Sequence, residues 1–136
     1  MVVPSVLGGN VSIATTGSGT EGDPYVIIRK MITQTPITVT GTCTASYVVA
    51  LTWSCQNYPN KTIVVANTHA TLTMKYRIWG YAKSGSSYYN EIQAEYTLAA
   101  LTGRPHVIQN SYDVIVVSVI DGSGHATYSI DYTGGQ

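Results

Sequence analysis

The side chains that could do bond-making chemistry in this chain are two cysteines, three histidines, twelve serines and four aspartates. Their spacing supports little of it. Cys43 and Cys55 stand 12 residues apart. On one straight strand they would be roughly 40 Å from each other, far beyond the ~4.4 to 6.8 Å between Cα atoms that a disulfide spans. A bond needs a turn between them, for which residues 44–46 are the candidate, so the pair is either bonded across that turn or two free thiols. Neither cysteine has a histidine or a nucleophile motif near it in sequence. The histidines, His69, His106 and His125, are 37 and 19 residues apart, and zinc sites need closer clusters. A Ser-His-Asp triad lacks its usual Gly-x-Ser-x-Gly elbow. The turn acids Glu21, Asp23 and Asp121 could contribute to a calcium site. Ca2+ wants six to eight oxygens, however, and without EF-hand spacing ordinary turn chemistry accounts for them better. The expectation is therefore a protein that is not an enzyme and uses no cofactor, with a hydrolase as the third-ranked reading.

Aromatic and modification chemistry remain. Tyr occurs 11 times and Phe never, and the set Tyr58, Tyr76, Tyr81, Tyr88, Tyr89 and Tyr112 with Trp53 and Trp79 suits either a protein interface or stacking on sugar rings. Trp79, Tyr81 and Tyr89 fall on polar parities of their segments. They are the candidate interface or glycan-stacking residues, and the interface is favoured because the chain is poor in charge. Asn10 and Asn60 each begin an N-glycosylation sequon (Asn-Val-Ser and Asn-Lys-Thr). With 30 Ser and Thr in the chain, two sequons are about what chance supplies.

The elements that must position these groups are strands. Residues 70–81 alternate strictly: Leu72, Met74, Tyr76 and Ile78 share one face, Thr71, Thr73, Lys75 and Arg77 the other. After the turn formers Ser84, Gly85 and Ser86, residues 87–98 repeat the pattern. The two runs read as a long antiparallel hairpin paired over residues 71–98 with its tip at residues 83–86. Lys75 and Arg77 would then meet Glu91 and Glu95 across the ladder, worth roughly 0.2 to 1 kcal/mol per pair. Other strand signals lie at residues 25–30, 37–40, 47–54, 61–66 and 106–109. In residues 47–54, Tyr47, Val49, Leu51 and Trp53 share one parity. Residues 98–101 read as a single helical turn closed by Gly103 and Pro105. A second hairpin is expected from residues 114–120 and 125–132 around the Asp-Gly-Ser-Gly turn at 121–124. Its first arm is apolar on both parities and so must be covered on both sides.

Eight to ten strands with no helical period give an all-β antiparallel two-sheet sandwich, Ig-like or jelly-roll. At 136 residues this is one domain, residues 25–136. Residues 1–24 precede it as an arm and a Gly-rich hinge. The arm carries Val2, Val3, Val6, Leu7, Val11 and Ile13, with strand character at residues 11–14, and residues 17–24 are turn and linker types. Only 10% of residues are charged and the net charge is zero, which favours association over repulsion. The seven basic residues are scattered, so no nucleic acid is expected as partner. No run approaches the ~18 apolar residues of a membrane span, and the N-terminus does not read as a signal peptide, since Pro4, Gly8 and Gly9 interrupt its apolar run. These features together point to a structural subunit of a large assembly, a virion shell or decoration protein or an extracellular filament. It would bind copies of itself and other structural proteins through the arm and the Tyr-rich surface. The alternative is a carbohydrate-binding or adhesion module of a secreted or surface protein.

Overall fold

The computed structural model describes residues 33–136 together with the backbone of two short strands before them. Those are β1 (Ile13–Thr16) and β2 (Val26–Arg29), which pair antiparallel with Ile13 opposite Arg29 and share no ladder with the rest. The other strands are β3 (Ile37–Thr42), β4 (Val48–Ser54), β5 (Asn60–Asn67), β6 (Met74–Tyr81), β7 (Asn90–Leu98), β8 (Gly103–Ile108), β9 (Val114–Ile120) and β10 (Thr127–Gly135). They form two antiparallel four-stranded sheets, ordered β3-β10-β5-β8 and β4-β9-β6-β7. Paired as β6/β7, β5/β8, β4/β9 and β3/β10, the chain is one antiparallel ribbon folded back at the β6–β7 connection. Successive pairs of the ribbon go to opposite sheets. That order is a jelly roll, and it decides between the two sandwiches the sequence allowed. No helix occurs among the described residues.

The β6–β7 hairpin forms as the alternation predicts, with Met74, Tyr76 and Ile78 at 1%, 0% and 0% exposure and the intervening side chains outside. Its ladder runs from Met74 opposite Leu98 to Gly80 opposite Asn90, so it begins three residues later than expected and leaves residues 82–89 as a loop. Within that loop the Ser86 N–H donates to the Lys83 carbonyl at 3.2 Å, and Gly85 takes φ +80°, which glycine adopts without strain. Two register shifts in the ladder break the parity expected for β7, placing Ile92 and Gln93 side by side against Ile78.

The second expected hairpin is not formed. Residues 121–124 do make a tight turn, with Gly124 N–H donating to the Asp121 carbonyl at 2.8 Å. Yet β9 and β10 lie in different sheets. The Asp121 carboxylate accepts the N–H groups of His125 at 3.2 Å and Ala126 at 2.9 Å, which in a hairpin would face β9. Those bonds carry the chain over the end of the sandwich. The strand apolar on both parities, β9, sits between β4 and β6 and is covered on both sides as expected, with Ile115, Val117 and Val119 inward and Val116 and Ser118 buried on the outer face. Of residues 98–101, read as a helical turn, Leu98 ends β7 and the rest form a turn closed by the Thr102 N–H on the Ala99 carbonyl at 3.3 Å, with Leu101 at φ +58°. Gly103 and Pro105 lie inside β8, which tolerates proline because it is an edge strand.

The core fills with Leu51, Trp53, Ile63, Val65, Ile130 and their neighbours from both sheets. Tyrosine and glycine interlock within it. The ring of Tyr112 lies where a Cβ on Gly80 would stand, 2.6 Å from its nearest atom, and Tyr58 covers Gly134 at 2.5 Å in the same sense. Trp53 packs against Tyr132 with ring centroids 5.0 Å apart. Two buried polar residues are satisfied by the chain. Asn67 donates to the Leu72 and Leu98 carbonyls at 2.8 and 3.2 Å, and Lys61 donates from Nζ to the Asn110 carbonyl at 2.7 Å.

Across the sandwich, Tyr76 of β6 meets His106 of β8, with the hydroxyl 2.7 Å from Nε2. Burial first, and Arg104 second, hold the His106 imidazole below its ordinary value of 6.5. The neutral ring is thus favoured more in the folded than in the unfolded chain. Its contribution is complete above about pH 6.5 and is lost as pH falls through the lowered folded value. The urea midpoint should therefore drop between about pH 7.5 and about pH 5, and His106→Gln should flatten that part of the profile.

Candidate functional site: an aromatic and cationic ladder on the outer sheet face

The outer face of the β4-β9-β6-β7 sheet carries the side chains of β6 that the alternation turns away from the core. These are Lys75, Arg77, Trp79 and Tyr81. Tyr47 joins them. The sequence assigned Tyr47 and Val49 to the core parity with Leu51 and Trp53, but the β4 register shifts by one residue between Val49 and Leu51. One extra residue reverses the parity on its N-terminal side. Val49 is accordingly 54% exposed, while Leu51 is 5%. The Arg77 guanidinium lies 3.8 Å from the Tyr47 ring centroid and 5.1 Å from that of Trp79. Trp79 in turn packs on Tyr89 at 5.7 Å, and Tyr89 on Tyr81 at 5.9 Å. A continuous ladder results, ring, cation and three rings, running over Val116 and Ser118.

Its electrostatics close locally. Glu95 accepts the Tyr47 hydroxyl at 2.5 Å and pairs with Lys75 Nζ at 3.2 Å. These bonds, the Tyr47 one foremost, hold the Glu95 carboxyl below its usual range. Burial, then the Glu95 carboxylate, push the Tyr47 phenol up to about 12. Of the charge pairs expected across the hairpin, Lys75 with Glu95 forms, whereas Arg77 turns to the rings. Such cation–π contacts are worth about 0.5 to 2 kcal/mol each. Two donors on this face, Arg77 Nε and Trp79 Nε1, are buried and have no acceptor within the described chain.

The expected aromatic set divides. Trp79, Tyr81 and Tyr89 come together outside, with Tyr88 86% exposed beside them. Trp53, Tyr58, Tyr76 and Tyr112 belong to the core instead. Arg77 and Glu95 were expected on this face as members of cross-strand charge pairs, and Tyr47 is the member that sequence reasoning did not place here. Alternation marked Arg77 as outward, but only the register shift in β4 reveals Tyr47.

The remaining candidates are placed separately. Cys43 and Cys55 are both buried free thiols, so the bonded alternative is not the one adopted. The backbone N–H of Cys43 bonds Ala126 beside Asp121, and that of Cys55 bonds Asp113. Asp113 and Asp121 flank opposite ends of β9, roughly 25 Å apart at ~3.3 Å per residue, which no disulfide spans. Burial pushes both thiols up to about 11. They are inert at neutral pH. Asp121 does turn chemistry: the Ser123 hydroxyl first, with the backbone N–H groups of Ala126, Ser123 and His125, holds its carboxyl down to about 2. His69 accepts the N–H groups of Thr71 and Leu72 at 3.1 and 3.0 Å through Nδ1. Asn60 is exposed at the start of β5. Asn10 and the arm residues Val2, Val3, Val6, Leu7 and Val11 lie outside the described residues, as do Glu21 and Asp23. Ile13 begins β1.

No family model and no curated protein matches the chain. Among solved structures it is similar to a protein of Bacillus endospore appendages, described as a family of disulfide-linked pili, with 9% identity and a TM-score of 0.53 over 76% of this chain and 87% of that one. It is more loosely similar to the Yersinia pseudotuberculosis-derived mitogen, with 13% identity and a TM-score of 0.49 over 74% of this chain and 86% of that one. PirA is similar at 11% identity and a TM-score of 0.47, over 74% of this chain and 92% of that one. What the likeness to the endospore-appendage protein shows is a shared β-sandwich.

Proposed function

We propose that the protein is a non-catalytic structural subunit that packs into a large assembly, a virion shell or decoration or an extracellular filament, and joins copies of itself. The observation that carries this reading is the outer face of the β3-β10-β5-β8 sheet. Following the ladder, that face presents Thr38, Thr40 and Thr42, then Thr127, Ser129, Asp131 and Thr133, then Thr62, Val64 and Ala66, and finally Pro105 and Val107. Asp131 is its one charged side chain and already accepts the Thr38 hydroxyl at 2.6 Å. Val107 is 71% exposed on it. A broad surface with a single charge, itself hydrogen-bonded within the chain, meets a second copy at little desolvation cost and with little like-charge repulsion. Both cysteines are buried, so association here is non-covalent.

The arm is the second element of the proposal. It is apolar and ends in β1, and a two-stranded ribbon of four-residue strands is marginal by itself. Its stability must come from packing, and a neighbour's sheet edge offers unpaired N–H and C=O groups for an added strand. Electron microscopy and sedimentation of the purified chain should find regular high-mass assemblies whose fraction rises with concentration. A single monomeric species at every concentration would overturn the reading.

A further inference from the structure

On the outer face of the second sheet, the loop of residues 82–89 overhangs the strands and encloses a shallow cleft of about 350 Å³. Val114 and Val116 form its apolar floor, Thr52 and Ser54 of β4 one wall, and Tyr81 with Ser84 and Ser86 of the loop the other. The loop is fixed in place, since the Ser84 N–H donates to the Asp113 carboxylate at 3.2 Å and the Tyr88 N–H to Ser86 Oγ at 3.1 Å. Tyr81 is backed by Tyr89 and, through it, by Trp79.

We infer that this cleft binds a neutral saccharide. Five hydroxyl-bearing side chains, one of them the Tyr81 ring, and two valines line it, and no charged group does. Hydroxyls exchange hydrogen bonds with sugar hydroxyls as donor or acceptor alike. The ring and the valines meet the C–H faces of a pyranose. An ionic ligand would find no counter-charge in the lining. An extended peptide is disfavoured over the cleft floor for a separate reason: β9, which supplies both valines, is flanked by β4 and β6 in its sheet, so the backbone beneath the cleft is already laddered. Recognition at the floor comes from side chains. The volume is at the low end for ligand sites and suits one or two sugar rings. This cleft lies on the face opposite the charge-poor sheet proposed for assembly, so a subunit can be packed and still display it.

The test is saturation-transfer NMR on the full chain with lactose, cellobiose and maltose at about 10 mM, where sites of about millimolar affinity are visible. 3′-Sialyllactose serves as the anionic control. At least one neutral disaccharide should receive saturation. Tyr81→Ala should weaken its binding about tenfold, Tyr81→Phe should stay within about threefold, and Thr52→Val should weaken it measurably. Circular dichroism and melting of each variant should match the parent, because Tyr81 is half-exposed and its backbone carbonyl keeps the Asp113 N–H at 2.8 Å. Saturation of none of the three, saturation of sialyllactose alone, or unchanged affinity in folded Tyr81→Ala would each overturn the inference. Sedimentation of the same samples reads the assembly proposal independently.

Discussion

Met74→Asp is expected to leave the chain unfolded. Met74 is 1% exposed, opens the β6 ladder opposite Leu98 and belongs to the core between the sheets. The substitution removes a buried thioether side chain worth about 2 kcal/mol of transfer energy. It also places a carboxylate within the apolar core cluster, at a further cost of several kcal/mol. Since small domains hold about 5 to 15 kcal/mol in total, the loss takes most of it. Thr73→Asp, one position earlier at an exposed site, should change stability by about 0.5 kcal/mol or less. Urea unfolding followed by circular dichroism distinguishes them. Equal tolerance of both substitutions would mean that β6 does not face the core with Met74, Tyr76 and Ile78.

Removal of residues 1–16 should abolish assembly and spare the fold. The deleted stretch carries Val2, Val3, Val6, Leu7, Val11 and Ile13, enough apolar surface to gain several kcal/mol from burial in a neighbour at about 25 cal/mol per Å². It includes β1, whose loss leaves β2 without its partner. Neither strand shares a ladder with the two four-stranded sheets, so the sandwich keeps all of its own pairings. The truncated chain should therefore give the parent's β-type circular dichroism and a monomeric mass in sedimentation. Normal assembly of the truncated chain would remove the arm from the proposal and leave the charge-poor sheet as the sole contact. Loss of the β spectrum would show instead that the ribbon supports the sandwich itself.

The β1–β2 ribbon also changes how the N-terminal region is organised. Residues 17–24, with Gly17, Gly19 and Gly22, read as a hinge between arm and body. The pairing of Ile13 with Arg29 through Thr16 with Val26 makes that stretch the link between two strands of one ribbon. Composition identified the turn and linker residues. It could not show that the flanking segments pair with each other, because that depends on a meeting of strands, not on any residue in the link.

Much of the fold was legible because strand alternation is a local property. A period of two in residues 74–81 and apolar residues on both parities in residues 114–120 each follow from which side chains can face a core, whatever lies across from them. Those segments became β6, with its predicted inner face, and β9, the strand covered on both sides. The turn at residues 83–86 was equally local, as Gly85 with φ +80° confirms. What the tertiary structure alone decided was which strand lies beside which. The Asp121 carboxylate sends β10 to the opposite sheet from β9, turning an apparent hairpin into a jelly-roll crossover. One extra residue in β4 carries Tyr47 from the core parity to Arg77. The candidate site rests on these non-local choices. Trp79, Tyr81 and Tyr89 could be named from parity, but the cation between two rings and the hydroxyl-lined cleft exist only because strands distant in sequence were brought to one face.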